Sequence, residues 1–400
     1  MYPSRKVAGR LVARGGAALA LAATVLLAGC HNFFVCQKAS CPSTGGGGGG
    51  GSTSTDYVYV SNASAGPTYV SGYDIGNGSL AAIGSPVNLN FIPVAMAVST
   101  NDAILYVASS AGITNPGIYV YSINSSTGQL SGPNGGQVQV SGAISSIDVS
   151  PDGKFLFSVD TTGTILTEYT IDSSGNLARA ETFGLPGTDC TPGGTIVTQM
   201  CTVKVAPSGQ FVLASLGSAG TAIYPYSSSS GITTTTPMVI PSGSTQEAPS
   251  GDYSVTLDSN NFVYIARTNA LATYQITDLN GDANPKSSAP YSTGIIPRSV
   301  VLGANQGYVY TANEGAGTIS SFAIDSSATL KQVSGSPFTG PANVSAIGVD
   351  KSGTYMVAAG YNGSSGVQLF TIGSTGGLTL VTSAGTGTST SFPAILAMTH

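Results

Sequence analysis

Three short runs within residues 297–324 set the pattern for the whole chain. Ser299 to Leu302, Tyr308 to Thr311 and Ile319 to Ile324 alternate apolar with small or polar residues, and Gly- and Asn-rich turns separate them. Such period-two alternation, bounded by turn formers, predicts three antiparallel strands. The pattern recurs six more times. An aromatic residue near the end of the third run falls at Tyr73, Tyr121, Tyr169, Tyr226, Tyr274, Phe322 and Phe370, at spacings of 48, 48, 57, 48, 48 and 48. The start of the middle run falls at Tyr57, Ile104, Phe155, Phe211, Phe262, Tyr308 and Tyr355, and its largest gap, 56, lies in the same repeat. A period in the high forties with about four strands per repeat predicts an all-β fold, a seven-bladed β-propeller of four-stranded antiparallel blades.

In each repeat a strand of small residues, such as Val94 to Val98, Ser146 to Val149 or Val300 to Leu302, precedes the aromatic-marked strand. Small side chains suit the crowded innermost place near an axis. The turn Ser150-Pro151-Asp152-Gly153 has the residue types a tight connection needs. The ends of the pattern also predict how the ring closes. The first repeat opens at Asp56 with a second-type strand, Tyr57 to Ser61, and has no inner strand before it; Phe392 to Met398 supplies an inner strand with nothing after it. Pairing the two completes one blade and leaves no open edge.

Ahead of the repeats the pattern changes twice. Residues 1–30 read as an export signal, with Arg5, Lys6, Arg10 and Arg14 as the basic segment and Ala17 to Leu27 as an apolar run short for a bilayer core of about 30 Å. It ends in Leu27-Ala28-Gly29-Cys30, which resembles the bacterial lipobox. That resemblance implies lipidation of Cys30, anchoring of the chain to a membrane, and a place in the bacterial cell envelope facing periplasm or exterior. Residues 31–55, with seven glycines from Gly45 to Gly51, are expected to be a flexible tether, which leaves 56–400 for the propeller.

Composition then narrows the function. Only 8% of residues are charged, the net charge is −5, and four of the 13 Lys and Arg lie in the signal, so no basic patch exists to neutralise phosphates and nucleic acid is not an expected partner. A monomer is the expected state. Tryptophan is absent, and no His lies between His31 and His400, so neither a quinone-docking propeller nor a His-rich metal site is expected, and no cofactor is called for. Once Cys30 is lipidated, four cysteines remain, which allow three pairings. The local ones, Cys36 with Cys41 and Cys190 with Cys201, are favoured, the second closing the insertion that stretches one repeat to 57 residues.

The body resembles the lactonase-type seven-bladed propellers, the group that includes 6-phosphogluconolactonases and fungal carboxy-muconate cyclases. Runs such as Leu105-Tyr106-Val107-Ala108 and Tyr308-Val309-Tyr310-Thr311-Ala312-Asn313 also resemble the exported YVTN-type propellers. The sharpest local match is Pro297-Arg298 with Asn313-Glu314, which is similar to that family's Pro-Arg-His and Asn-Glu-Leu pattern, with Ser299 in place of the His. In the cyclases the matching Arg and Glu belong to the active site. The resemblance thus implies that Arg298 holds a substrate carboxylate and that Glu314 moves a proton.

Register places the same pair side by side without help from the family, because Arg298 opens an inner strand and Glu314 ends the strand hairpinned to it. A cross-strand ion pair at a blade end, worth about 0.2–1 kcal/mol, explains the pair equally well. Other strand ends bring Asn62, Asp160, Tyr253, Arg267, Asn269, Asn313, Tyr361 and Asn362 to the same rim. They form a polar mouth able to hydrogen-bond a glycan, a lactone or a protein. Two functions follow: a binding module on the cell envelope without His chemistry, or a sugar-lactone hydrolase using Arg298 with Glu314 or Asp160.

Overall fold

The computed structural model describes residues 56–62, 68–109, 116–133, 138–140, 143–187, 190, 201–242, 251–278, 282–287, 290–362, 366–385 and 392–400. The signal, the tether and the Cys36 and Cys41 pairing lie outside them. The described chain folds into seven antiparallel sheets, each a blade of four main strands. The prototype repeat becomes Pro297–Leu302, Tyr308–Asn313, Thr318–Ile324 and Leu330–Gln332, each strand pairing with the next. Ser150-Pro151-Asp152-Gly153 makes the expected tight turn, closed by the Gly153 N–H on the Ser150 carbonyl at 2.8 Å.

The blades are numbered here from the one that holds Tyr57–Asn62, in chain order. Blade 1 is shared between the chain's two ends: Leu396–Met398 is its innermost strand and pairs with Val58 to Val60 of Tyr57–Asn62. Thr399 finishes the seam, its hydroxyl accepting the Tyr57 N–H at 2.8 Å. Each inner strand touches the inner strand of the next blade, and Leu396–Met398 meets Pro93–Val98 to close the circle.

Seven apolar clusters fill the seven seams between neighbouring blades. This is why the middle strand of a blade is buried on both faces, as in Ile104–Ser109 and Phe262–Arg267. Removing such a side chain from water is worth about 1.5–3 kcal/mol. Tyrosines latch the seams: Tyr59 donates to the Gly128 carbonyl at 2.7 Å, Tyr106 to that of Gly175 at 3.0 Å, and Tyr308 to that of Ser374 at 2.9 Å, in each case one blade further on. Among the described residues no helix is long and apolar enough to cross a membrane.

Candidate functional site at the channel mouth

All seven inner strands surround a central cavity of about 580 Å³. Four of them, in blades 2, 3, 5 and 6, carry a bulge one residue inside the same end, at Val94, Ser145, Tyr253 and Arg298. A bulge leaves one residue unpaired and re-aims its side chain. In blade 6 the register passes from Pro297 opposite Asn313 to Ser299 opposite Ala312, so Arg298 is the extra residue and lines the cavity.

Glu314 reaches Arg298 by a separate route. It opens a single 3-10 turn, Glu314–Ala316, and Gly317 ends that turn in the left-handed region (φ 62°). The Glu314 and Gly315 N–H groups donate to the carbonyls of Ile296 and Ile295 at 2.8 and 3.0 Å, so the turn is hooked to the segment that leads into the Arg298 strand. Nη1 of Arg298 lies 3.0 Å from Oε2 of Glu314, with the side chains 12% and 8% exposed. The other carboxylate oxygen accepts a hydrogen bond from the Tyr361 hydroxyl, contributed by blade 7. Burial and the Glu314 carboxylate push the Tyr361 hydroxyl above its ordinary range, so it stays protonated as a donor.

The remaining residues of the expected rim lie at this end of the blades, but most are engaged elsewhere. Arg267 is buried, with Nε 2.7 Å from Oδ1 of the fully buried Asp252 and Nη2 donating to the Pro241 carbonyl at 3.0 Å. Asn313 is fully buried and bonds Thr311, Thr318 and Ser320 within its own blade. Oδ1 of Asp160 accepts the N–H groups of Thr164 and Ile165 at 2.9 Å, capping the turn between two strands. Asn62 is buried against the Tyr69 hydroxyl, and Tyr253 is buried beside Gly251. Asn269 and Asn362 are exposed loop residues. The three residues that converge are therefore Arg298, Glu314 and Tyr361.

His400 is placed far from this mouth. Its backbone N–H and ring bond Asp102, in the turn at the opposite end of blade 2. Cys190 and Cys201 form a disulfide, and Cys201 is part of the cavity wall. Among the described residues no group of three or more His, Cys, Asp and Glu side chains is placed to hold a metal ion.

Of the rest of the cavity lining, the motif reading singled out Ser299 alone. Thr202, Ser254 and Ser299 add hydroxyls, Lys204 adds a second cation paired with Asp148 at 3.0 Å, and Ile92, Phe392 and Ile395 add an apolar wall. Their signal in the sequence is faint, since each is one ordinary residue on or just before an inner strand.

A ring of seven blades with an Arg–Glu–Tyr cluster at one mouth of its channel defines the class of protein. Residues 55–245 and 114–399 match the family described as Lactonase, 7-bladed beta-propeller, and the chain belongs to that family. Among solved structures it is similar to a candidate 6-phosphogluconolactonase of Bacteroides fragilis, with TM-score 0.68 and 16% identity over 88% of this chain and 100% of that one. It is also similar to the periplasmic gluconolactonase PpgL of Pseudomonas aeruginosa, with TM-score 0.67 and 15% identity over 86% of this chain and 99% of that one. A Lactobacillus plantarum protein matches with TM-score 0.66 and 15% identity over 86% and 99% of the two chains. Identities this low establish a shared fold. No curated protein matches the chain.

Proposed function

We propose that the propeller binds a small carboxylate or lactone at this channel mouth, with Arg298 meeting the ligand's oxygens. The observation that carries this reading is the Arg298 guanidinium, set on a bulge in the wall of a 580 Å³ cavity with Glu314 and Tyr361 fixing its position. A guanidinium presents a planar fork of donors that matches a carboxylate. Binding takes precedence over chemistry because both Glu314 oxygens are already engaged, Oε2 by Arg298 and Oε1 by the Tyr361 hydroxyl. Among the described residues no histidine stands in for it, since His400 lies at the other end.

Lactone hydrolysis is the second reading. Family membership favours it, together with the names that two of the similar structures carry. In it Arg298 holds the lactone carbonyl and Glu314 activates water. Both readings are tested by titrating purified protein with aldonates and lactones while following hydrolysis. Arg298→Ala is expected to weaken binding at least tenfold, and unchanged affinity sinks the proposal. Turnover above background that disappears in Glu314→Gln promotes the second reading over the first.

We also propose that Cys30 carries acyl chains and holds the propeller on a membrane of the cell envelope as a monomer, on the strength of the Leu27-Ala28-Gly29-Cys30 tetrad. Cys30→Ala is expected to move the protein from the membrane fraction to the soluble one. A variant that stays in the membrane fraction removes the anchor from the account.

A further inference from the structure

We infer that the ligand of this cavity joins its carboxylate or lactone group to a hydrocarbon body, and is not a polyol. The inference deepens the proposal that Arg298 anchors a ligand at the mouth. It rests on an uneven distribution of chemistry around the channel. The inner segments of blades 1 and 2, next to each other in the ring, are apolar throughout: Phe392-Pro393-Ala394-Ile395-Leu396 and Ile92-Pro93-Val94-Ala95-Met96 all line the cavity. Blade 7 adds Ala346 and Ile347 on the same side. The polar lining is confined to the other arc, blades 3 to 6, apart from Ser345.

Much of that polar lining is already spoken for. The Ser145 hydroxyl donates to the Cys201 carbonyl and the Ser345 hydroxyl to the Ala394 carbonyl, both at 2.7 Å, stitching one inner strand to the next. Ser146 accepts the Val203 N–H at 3.2 Å, Thr202 bonds the Ser215 hydroxyl at 2.9 Å, and Lys204 is paired with Asp148 at 3.0 Å. Beside Arg298, the hydroxyls of Ser254 and Ser299 are the lining hydroxyls that take no part in these stitches.

A six-carbon sugar acid brings five hydroxyls, and those turned toward blades 7, 1 and 2 would exchange water for a wall whose side chains, Ser345 apart, are apolar. A hydrocarbon chain of the same length loses nothing there. Each methylene moved from water onto that wall tightens binding about fourfold. Half-buried Phe392 and Val94 stand at the Arg298 end of the wall, so a ligand held by its carboxylate at Arg298 can lay its body across them.

Ligand-observed NMR titration of the full chain with sodium butanoate, hexanoate, octanoate and gluconate, and with δ-hexalactone against glucono-1,5-lactone, tests this. The expected result is a rise in affinity of about fourfold per methylene along the acids, hexanoate at least tenfold tighter than gluconate, and loss of both dependences in Arg298→Ala. Phe392→Ser and Val94→Ser, each checked by circular dichroism, are expected to weaken hexanoate severalfold and leave gluconate unchanged; either folded variant suffices. Gluconate binding more tightly than hexanoate, with Arg298 required, keeps the site and overturns the hydrocarbon class. Binding of neither acid, or binding indifferent to Arg298, overturns both.

Discussion

At the scale of single residues, buried charges separate the parts of the mouth that hold the fold from the part that lines the cavity. Asp252 is fully buried and Arg267 nearly so, and the Thr221 hydroxyl completes the carboxylate's contacts at 2.7 Å. Removing one partner of such a pair leaves the other buried and uncompensated, at a cost of about 3–5 kcal/mol. Arg267→Ala is therefore expected to lower stability by about that much, and the Asp252→Ala, Arg267→Ala double variant by clearly less than the sum of the singles. Urea unfolding of the four proteins measures both. Glu168 behaves differently, because no cation accompanies it among its contacts. It is 4% exposed and accepts the Ile232 N–H at 2.9 Å across the seam between blades 3 and 4. Burial pushes its carboxyl above the usual carboxylate range; the Ile232 hydrogen bond pulls the other way, and Glu181 on the paired strand adds to the rise. With the folded pKa above the unfolded one, the stability that protonation confers is complete below the unfolded value and is lost as pH rises through the folded value. The melting temperature of Glu168→Gln relative to the wild type is thus expected to climb by about 1–3 °C between pH 4 and pH 7. A constant difference across that range refutes the assignment. Neither group was legible in the sequence. Arg267 has the look of a rim residue because strand periodicity gives its end of the blade, but its partner Asp252 is set by the pairing of two strands across a bulge. Arg298 with Glu314 was legible because one hairpin carries both.

At the scale of elements, the inner strand does most to determine what lines the central cavity. The aromatic markers made the second and third strands conspicuous, since burial on both faces demands large apolar residues at fixed intervals. The inner strand is built of small residues, so its bulges at Val94, Ser145, Tyr253 and Arg298 left no trace in hydrophobic periodicity. Yet the bulge is what turns Arg298 toward the channel. The segment just before it is under backbone strain: Ile296 has φ 54°, a region that β-branched residues avoid, and it is held there by its N–H on the Thr268 carbonyl at 3.0 Å and by the Glu314 N–H on its own carbonyl at 2.8 Å. Closure of the ring was legible, because a missing inner strand at one end of the chain and a surplus one at the other have a single economical solution. Its energetic consequence can be measured. Deleting residues 392–400 removes the inner strand of blade 1 and the Thr399 contacts to Tyr57, and exposes the edge of Tyr57–Asn62. The truncated chain is expected to melt more than 10 °C lower or to aggregate, as read by circular dichroism and size exclusion. A melting curve unchanged by the deletion contradicts the closure.

At the scale of the whole molecule, chain direction fixes the end of the channel at which the described chain enters and leaves the propeller. Inner strands run from the Arg298 mouth toward the far end, and second strands run back, as the pairing of Pro297 with Asn313 and of Leu302 with Val309 shows. Tyr57–Asn62 is a second strand, so the propeller is entered at the far end, where Asp56 accepts the Ile75 N–H through its carbonyl at 3.1 Å. The last residue returns to that end, with His400 on Asp102. Asp56, where the described chain enters the propeller, therefore lies at the end opposite Arg298, Glu314 and Tyr361. The lipid proposed on Cys30 belongs to the residues ahead of Asp56. Attachment and binding should then be independent. Cys30→Ala, released from the membrane, is expected to bind small carboxylates with the affinity of the anchored protein in vesicles, within about twofold, because no group at the mouth depends on the attached end. A tenfold change in either direction, measured by the same NMR titration on both forms, overturns that independence.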